Sequence, residues 1–182
     1  MKRTLFSVVA VSATLLLQCV SAGGLINDDR ENLLKQPTFE ARTWDIKFFG
    51  THGTVTTDRA ELHEGRPSLR IEQGSPAGVA FLNQKIPCKP LTHYRFSGWI
   101  KATKMVLPKE QEAKPAGAAL AVFPGLGNSG WLSDTGTWVH ASVDFRTKAG
   151  QNEVQLGPRI GFNEWRPSGT AWFADLLLIE VK

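Results

Sequence analysis

The chain has 182 residues, of which 21 are Lys or Arg, 17 are Asp or Glu, and 42% are hydrophobic. The charges form no basic stripe, which argues against nucleic acid as a partner, and two cysteines are too few for a disulfide framework or a zinc cluster. The length suits a single domain with a sizeable core.

The first residues have the layout of a secretory signal peptide. A basic start precedes an apolar run over 5–17, shorter than the ~20 residues of a membrane-spanning helix, and small residues follow up to Ala22. We predict a signal peptide over 1–22, cleaved after Ala22, and a single domain over 23–182. Cys19 leaves open a lipoprotein attachment site, for which the preceding residue fits poorly. The predicted domain is secreted or periplasmic and has no membrane segment; it keeps 19 of the 21 basic residues against 17 acidic ones.

After the signal, short runs of alternating polarity are separated by Gly, Pro, Asn and Asp at intervals of roughly ten residues, a spacing typical of a β-sandwich or jelly roll. No window has a helical stripe of useful length. The polar stretch 104–115 is broken by prolines and is predicted to be a long loop or a short helical turn. The predicted strands are 53–57, 68–73, 78–86, 93–102, 117–123, 137–146, 153–162 and 169–181.

Four blocks, taken in order, resemble a known fold. They are 32–40 (NLLKQPTFE), 65–71 (GRPSLRI), 94–101 (YRFSGWIK) and 169–178 (GTAWFADLLL). Together they resemble the galactose-binding-like jelly rolls, and in particular the carbohydrate-binding modules attached to xylanases and glucanases. The resemblance implies an all-β, jelly-roll β-sandwich that binds a polysaccharide or oligosaccharide without cutting it.

The same resemblance implies a structural calcium ion. The corresponding ligands are the carbonyl of Thr38 and the carboxylates of Glu40, Glu64 and Asp175, which is the oxygen-rich set that Ca²⁺ prefers. Many members of the family have two adjacent acids near the end of the chain, and here Ala174 stands in place of the first. The alternative is that these acids are only solvated or hydrogen-bonded loop residues.

A sugar site is predicted from aromatic side chains beside hydrogen-bond donors. Alternation in the strand 93–102 places core residues on one face and Arg95, Trp99 and Lys101 on the other. In the later strand, Gln155 and Arg159 also point away from the core, so the two sets converge on one groove if both strands belong to one sheet. Two loop tryptophans complete the predicted carbohydrate-binding set: Trp131 and Trp165. Trp138 and Trp172 lie in apolar alternation and are predicted to be core residues.

Two other functions stay open. A glycoside hydrolase or lyase would need paired carboxylates, and Asp134, Asp144, Glu153 and Glu164 are candidates without a motif that pairs them. A structural or adhesive domain with a protein partner and no sugar site is the stronger alternative. An open surface over Trp99 would favour sugar binding, and its burial under the loop 104–115 would favour the structural role.

Overall fold

The computed structural model describes residues 31–35, 39, 44–49, 53–74, 79–109, 117–162 and 166–182. Within these residues ten β-strands form, and no helix there has the length and apolar character to cross a membrane. The predicted signal peptide over 1–22 lies outside the described residues. The strands are β1 Asp45–Phe49, β2 Gly53–His63, β3 Arg66–Gln73, β4 Val79–Pro87, β5 His93–Val106, β6 Ala118–Phe123, β7 Gly127–Asn128, β8 Val139–Arg146, β9 Glu153–Ile160 and β10 Ser168–Glu180.

The strands pair into two antiparallel five-stranded sheets. We call the sheet with the order β1-β4-β9-β6-β7 the front sheet, and the sheet with the order β2-β3-β10-β5-β8 the back sheet. The predicted jelly-roll β-sandwich is confirmed, and each predicted strand corresponds to an observed one. The strands β1 and β7 were not predicted, and residues 104–106 continue β5 instead of starting a loop.

Alternating side chains explain how the two sheets bury one core. On the back sheet, Phe96 and Ile100 of β5 point inward and are fully buried. On the front sheet, Leu156 and Ile160 of β9 do the same. Residues of opposite parity on these strands therefore lie on the outer faces of the sandwich, where a ligand can reach them.

The segment 31–35 is held to the last strand by hydrogen bonds instead of strand pairing. The backbone N–H of Leu33 donates to the carbonyl of Leu178 at 2.9 Å. The side chain of Asn32 donates to the carbonyl of Leu176 at 2.9 Å and accepts from the N–H of Leu178 at 3.0 Å. This segment therefore fixes one end of the sandwich.

Candidate functional site

A groove of about 610 Å³ lies on the outer face of the front sheet. Side chains from β1, β4, β6 and β9 line it, and its volume is large enough for several sugar units. We call it the front groove. It is lined by Lys47, Val79, Phe81, Phe123, Pro124, Glu153, Val154, Gln155, Arg159 and Arg166.

Strand pairing brings the groove residues together. Phe81 of β4 is the register partner of Arg159 on β9, and Phe123 of β6 is the partner of Gln155 on the same strand. Partners in an antiparallel pair point to the same face. The two phenylalanine rings consequently meet across β9, with 4.9 Å between their centroids.

Arg159 lies at the centre of this arrangement and is only 6% exposed. Its guanidinium carbon is 5.7 Å from the ring centroid of Phe81, 5.3 Å from Phe123, 5.9 Å from Trp131 and 4.8 Å from Phe162. We call these four rings the aromatic cage. Burial lowers the pKa of Arg159 from its usual value of 12.5 to about 10, so the side chain keeps its charge at neutral pH.

The polar groups of the groove stand beside these rings. Gln155 offers an amide with both donors and an acceptor, and Lys47, which lies 3.7 Å from a carboxylate oxygen of Asp45, offers an ammonium at the edge. Flat apolar rings next to such groups match a sugar, which has an apolar C–H face and a fringe of hydroxyl groups. The front groove can therefore bind a carbohydrate by stacking and hydrogen bonding.

The predicted site residues do not form one groove. Gln155 and Arg159 line the front groove, but Arg95, Trp99 and Lys101 lie on the outer face of the back sheet, on the other side of the core. The condition that both strands share a sheet is not met, because β9 pairs with β4 and β6 whereas β5 pairs with β8 and β10. The prediction of one shared groove is wrong.

The three back-sheet residues are already engaged with neighbours. Arg95 makes two hydrogen bonds to Asp144, at 2.7 and 3.1 Å, and the ammonium of Lys101 lies 2.9 Å from a carboxylate oxygen of Glu61. Trp99 is partly buried. Its ring contacts those of two histidines: His63, with centroids 4.7 Å apart, and His140, 5.3 Å away. Residues 110–115 of the loop that was considered as a cover for Trp99 lie outside the described residues.

The other tryptophans divide between the two faces. Trp131 belongs to the aromatic cage and contacts Phe162 with 6.0 Å between centroids, so it adjoins the front groove. Trp165 lies outside the described residues. Trp138 and Trp172 are not core residues as predicted: both are partly buried on the outer side of the back sheet. Their indole N–H groups donate to the carbonyl of Leu62 and to Asp58.

The residues predicted to hold calcium are described only in part, because Thr38 and Glu40 lie outside the described residues. Glu64 occupies the two-residue turn between β2 and β3. Asp175 lies at a β-bulge of β10 with a left-handed φ of 49°, which an aspartate tolerates. These two acids come together as predicted, and buried His63 joins them. We call these three residues and Arg66 the hairpin corner.

A cation of the protein already stands between the two acids. One guanidinium nitrogen of Arg66 is 2.8 Å from a carboxylate oxygen of Asp175 and 3.1 Å from one of Glu64. The same oxygen of Asp175 also lies 2.5 Å from Nδ1 of His63. The described residues thus fit a calcium ion poorly, because a guanidinium occupies the space between its carboxylates and the third group is a nitrogen. Calcium at this corner stays a prediction.

The sequence did not reveal Phe81 and Phe123, which line the front groove, or Phe162, which belongs to the aromatic cage. A signal for Phe81 existed, because it shares strand parity with the polar residues Asn83 and Lys85 and so belongs to the outer face. That signal was weak, since the residues around it are apolar on both faces of the strand.

Comparison with known proteins agrees with this architecture. The family model described as carbohydrate binding domain matches residues 31–157. This range covers more than half of the chain, so the protein belongs to the carbohydrate binding domain family. Carbohydrate binding, predicted from the sequence, is therefore confirmed as its function. Comparison with curated protein sequences yields no match.

Solved structures show the same fold at low sequence identity. The enzymatically active domain of tailspike protein 4 from bacteriophage CBA120 is 15% identical, with a TM-score of 0.61 over 82% of this chain and 21% of that chain. TmCBM61, solved in complex with β-1,4-galactotriose, is 16% identical, with a TM-score of 0.56 over 83% of this chain and 99% of that chain. The tandem domain CBM22-1–CBM22-2 of Paenibacillus barcinonensis Xyn10C is 13% identical, with a TM-score of 0.51 over 84% of this chain and 47% of that chain. This chain thus spans about a fifth of the tailspike domain and nearly all of TmCBM61.

Proposed function

We propose that this domain binds a polysaccharide or oligosaccharide in the front groove and does not cut it. The observation that supports this location is the aromatic surface of Phe81 and Phe123 beside the amide of Gln155. A sugar ring stacked on Phe123 would place its hydroxyl groups within reach of that amide. Stacking of this kind supplies affinity, and the polar neighbours supply orientation.

A non-catalytic role is supported by the distribution of the carboxylates. Glu153 lines the front groove, whereas Asp144 lies on the back sheet in an ion pair with Arg95. Glycoside hydrolysis needs two carboxyl groups facing one bond, and these two are separated by the core. Asp134 is exposed, and Glu164 lies outside the described residues.

The back sheet is the second candidate location, because Trp99 was predicted to stack on a sugar. Trp99 is partly buried, and its ring contacts His63 and His140. A structural or adhesive role with a protein partner would use this face equally well. Export of the domain, through the predicted signal peptide over 1–22, is part of the same proposal.

The test is a glycan array, followed by affinity gel electrophoresis, on the purified protein and two variants. Phe123→Ala removes an aromatic face from the front groove, and Trp99→Ala does the same on the back sheet. We expect Phe123→Ala to weaken binding about tenfold or more, as loss of a stacking contact does, and Trp99→Ala to leave binding unchanged. The reverse result would move the site to the back sheet. Absence of glycan binding by the folded protein would favour the adhesive role.

A further inference from the structure

Arg159 combines two properties in the described part of the chain: it is a buried arginine, and its charge has no ionic partner there. Arg66 pairs with Asp175, and Arg95 pairs with Asp144. For Arg159, no carboxylate in the described part of the chain lies within ion-pair distance, and its Nε donates a hydrogen bond to the carbonyl of Gly161 at 2.7 Å. An arginine that is 6% exposed is thus held without a counter-charge from those residues.

Burying a charge in this way is unfavourable unless something compensates it. The effect is visible in the pKa of Arg159, which burial lowers to about 10. The aromatic cage compensates part of the penalty, because each ring presents negative charge density to the cation. The rings cannot donate or accept the directed hydrogen bonds that a guanidinium makes with a carboxylate.

The other charged side chains that line the groove are also mainly positive. Its charged lining consists of Lys47, Arg159 and Arg166 against Glu153. A planar guanidinium matches a carboxylate with two parallel hydrogen bonds, whereas a hydroxyl group offers one oxygen and no charge. A bound carboxylate would supply the missing counter-charge at the floor of the groove, and Lys47 would add attraction at its edge.

We infer that the front groove selects acidic glycans, those that contain uronic acid units, and that a uronate carboxylate binds to Arg159 within the aromatic cage. This inference rests on the proposed function of the groove. It goes further in naming the class of glycan, since neutral polysaccharides would leave the buried cation uncompensated.

The experiment compares each acidic polysaccharide with its own carboxyl-reduced form. Polygalacturonate, alginate and glucuronoxylan are tested beside the products of chemical reduction, which keep the backbone and linkages and replace each carboxylate by a hydroxymethyl group. Affinity electrophoresis and calorimetry measure the dissociation constants of the purified protein. We expect at least one acidic polymer to bind about tenfold or more tightly than its reduced form, with an advantage that shrinks as NaCl is raised.

Arg159→Met tests the residue itself, because methionine has a similar length and packs well against aromatic rings. The variant should bind the acidic and reduced polymers equally. Arg70→Met is the matched control: Arg70 also lies over an aromatic ring, 6.0 Å from the centroid of Trp172, but on the back sheet and paired with Glu72. The control should keep the acidic preference.

The outcomes separate the two proposals. Equal binding of an acidic polymer and its reduced form by the wild-type protein would overturn the acidic selectivity and leave the groove as a carbohydrate site. Loss of the preference in Arg70→Met but not in Arg159→Met would overturn the assignment to Arg159. Absence of binding to every glycan would overturn the proposed function and the selectivity together. If Arg159→Met does not fold, the comparison of acidic and reduced polymers with the wild-type protein still decides whether the groove selects acidic glycans.

Discussion

Arg66→Gln removes the cation that joins Glu64 and Asp175 at the hairpin corner. The side chains of Arg66 and Glu64 are 57% and 56% exposed, so solvent screens their pair strongly, whereas Asp175 is 27% exposed. The hydrogen bond to Asp175 is the largest cause of the raised pKa of Arg66. Because exposed ion pairs contribute about 0–1 kcal/mol, we expect the free energy of unfolding to fall by about 1 kcal/mol. For a chain of this size, the melting temperature would fall by about 2–4 °C.

The assay is thermal unfolding of wild type and Arg66→Gln in excess EDTA and in excess Ca²⁺. With Arg66 present, neither reagent should move the melting temperature of the wild-type protein. Without it, Glu64 and Asp175 are two neighbouring carboxylates, and Ca²⁺ that binds the folded state should raise the melting temperature by mass action. The variant is thus expected to gain a calcium response that the wild type lacks.

One result would refute this reasoning directly. If EDTA lowers the melting temperature of the wild-type protein and Ca²⁺ restores it, a metal ion and not Arg66 neutralises these acids, as the sequence resemblance implied. Arg146→Gln is the control for loss of a surface cation, since Arg146 is exposed on β8 and its Nε donates a hydrogen bond to the carbonyl of Leu91. It should show neither the destabilisation nor the calcium response.

Two further changes test local packing and charge. Asp58→Asn should destabilise the fold at neutral pH, because hydrogen bonds, chiefly from the Trp172 indole, lower the pKa of Asp58 below its usual 3.8. A lowered carboxyl pKa stabilises the fold above the usual value and this effect disappears as pH falls through the lowered one. The difference in urea denaturation should therefore vanish in strong acid, and a constant difference would contradict this cause. Gly157→Ala should lower the free energy of unfolding by about 3 kcal/mol, because the new Cβ would lie 2.0 Å from the backbone oxygen of Leu82. Gly98→Ala, whose closest contact would be a side-chain methyl group at 2.5 Å, should cost less, and equal losses in thermal denaturation would refute the comparison.

In β5 and β9, alternation along the strand predicted correctly which side chains face the core. In β5 it separated buried Phe96 and Ile100 from Trp99, and in β9 it separated buried Leu156 from Arg159. Side chains alternate between the two faces of a strand with a period of two residues. This alternation is a local property of the strand, so it does not depend on which strand lies next to it. This is why the faces, and the all-β class that follows from them, could be predicted from the sequence.

Sheet membership could not be predicted in the same way. Whether Trp99 and Arg159 share a groove depends on which strands pair across the chain, and periodicity carries no information about the partner. The prediction that Trp138 and Trp172 are core residues was wrong for a related reason. Trp172 lies among apolar neighbours, yet it faces outward. There the ammonium of Lys101 lies over its ring, and a carboxylate oxygen of Asp58 accepts a hydrogen bond from its indole N–H. Polar side chains from other strands therefore allow a tryptophan in an apolar stretch of sequence to lie on the outer face.

The proposed location of the site rests on how the cations are paired and not on the number of tryptophans. On the back sheet, which has three of the described tryptophans, Arg95 and Lys101 already have carboxylate partners, so a ligand there would have to compete with ion pairs that the protein makes itself. In the front groove the described residues give Arg159 rings and a carbonyl but no carboxylate. A buried cation in that state gains more from a bound anion than a paired surface cation does. For that reason the ligand is expected on the face where the protein leaves its charge uncompensated.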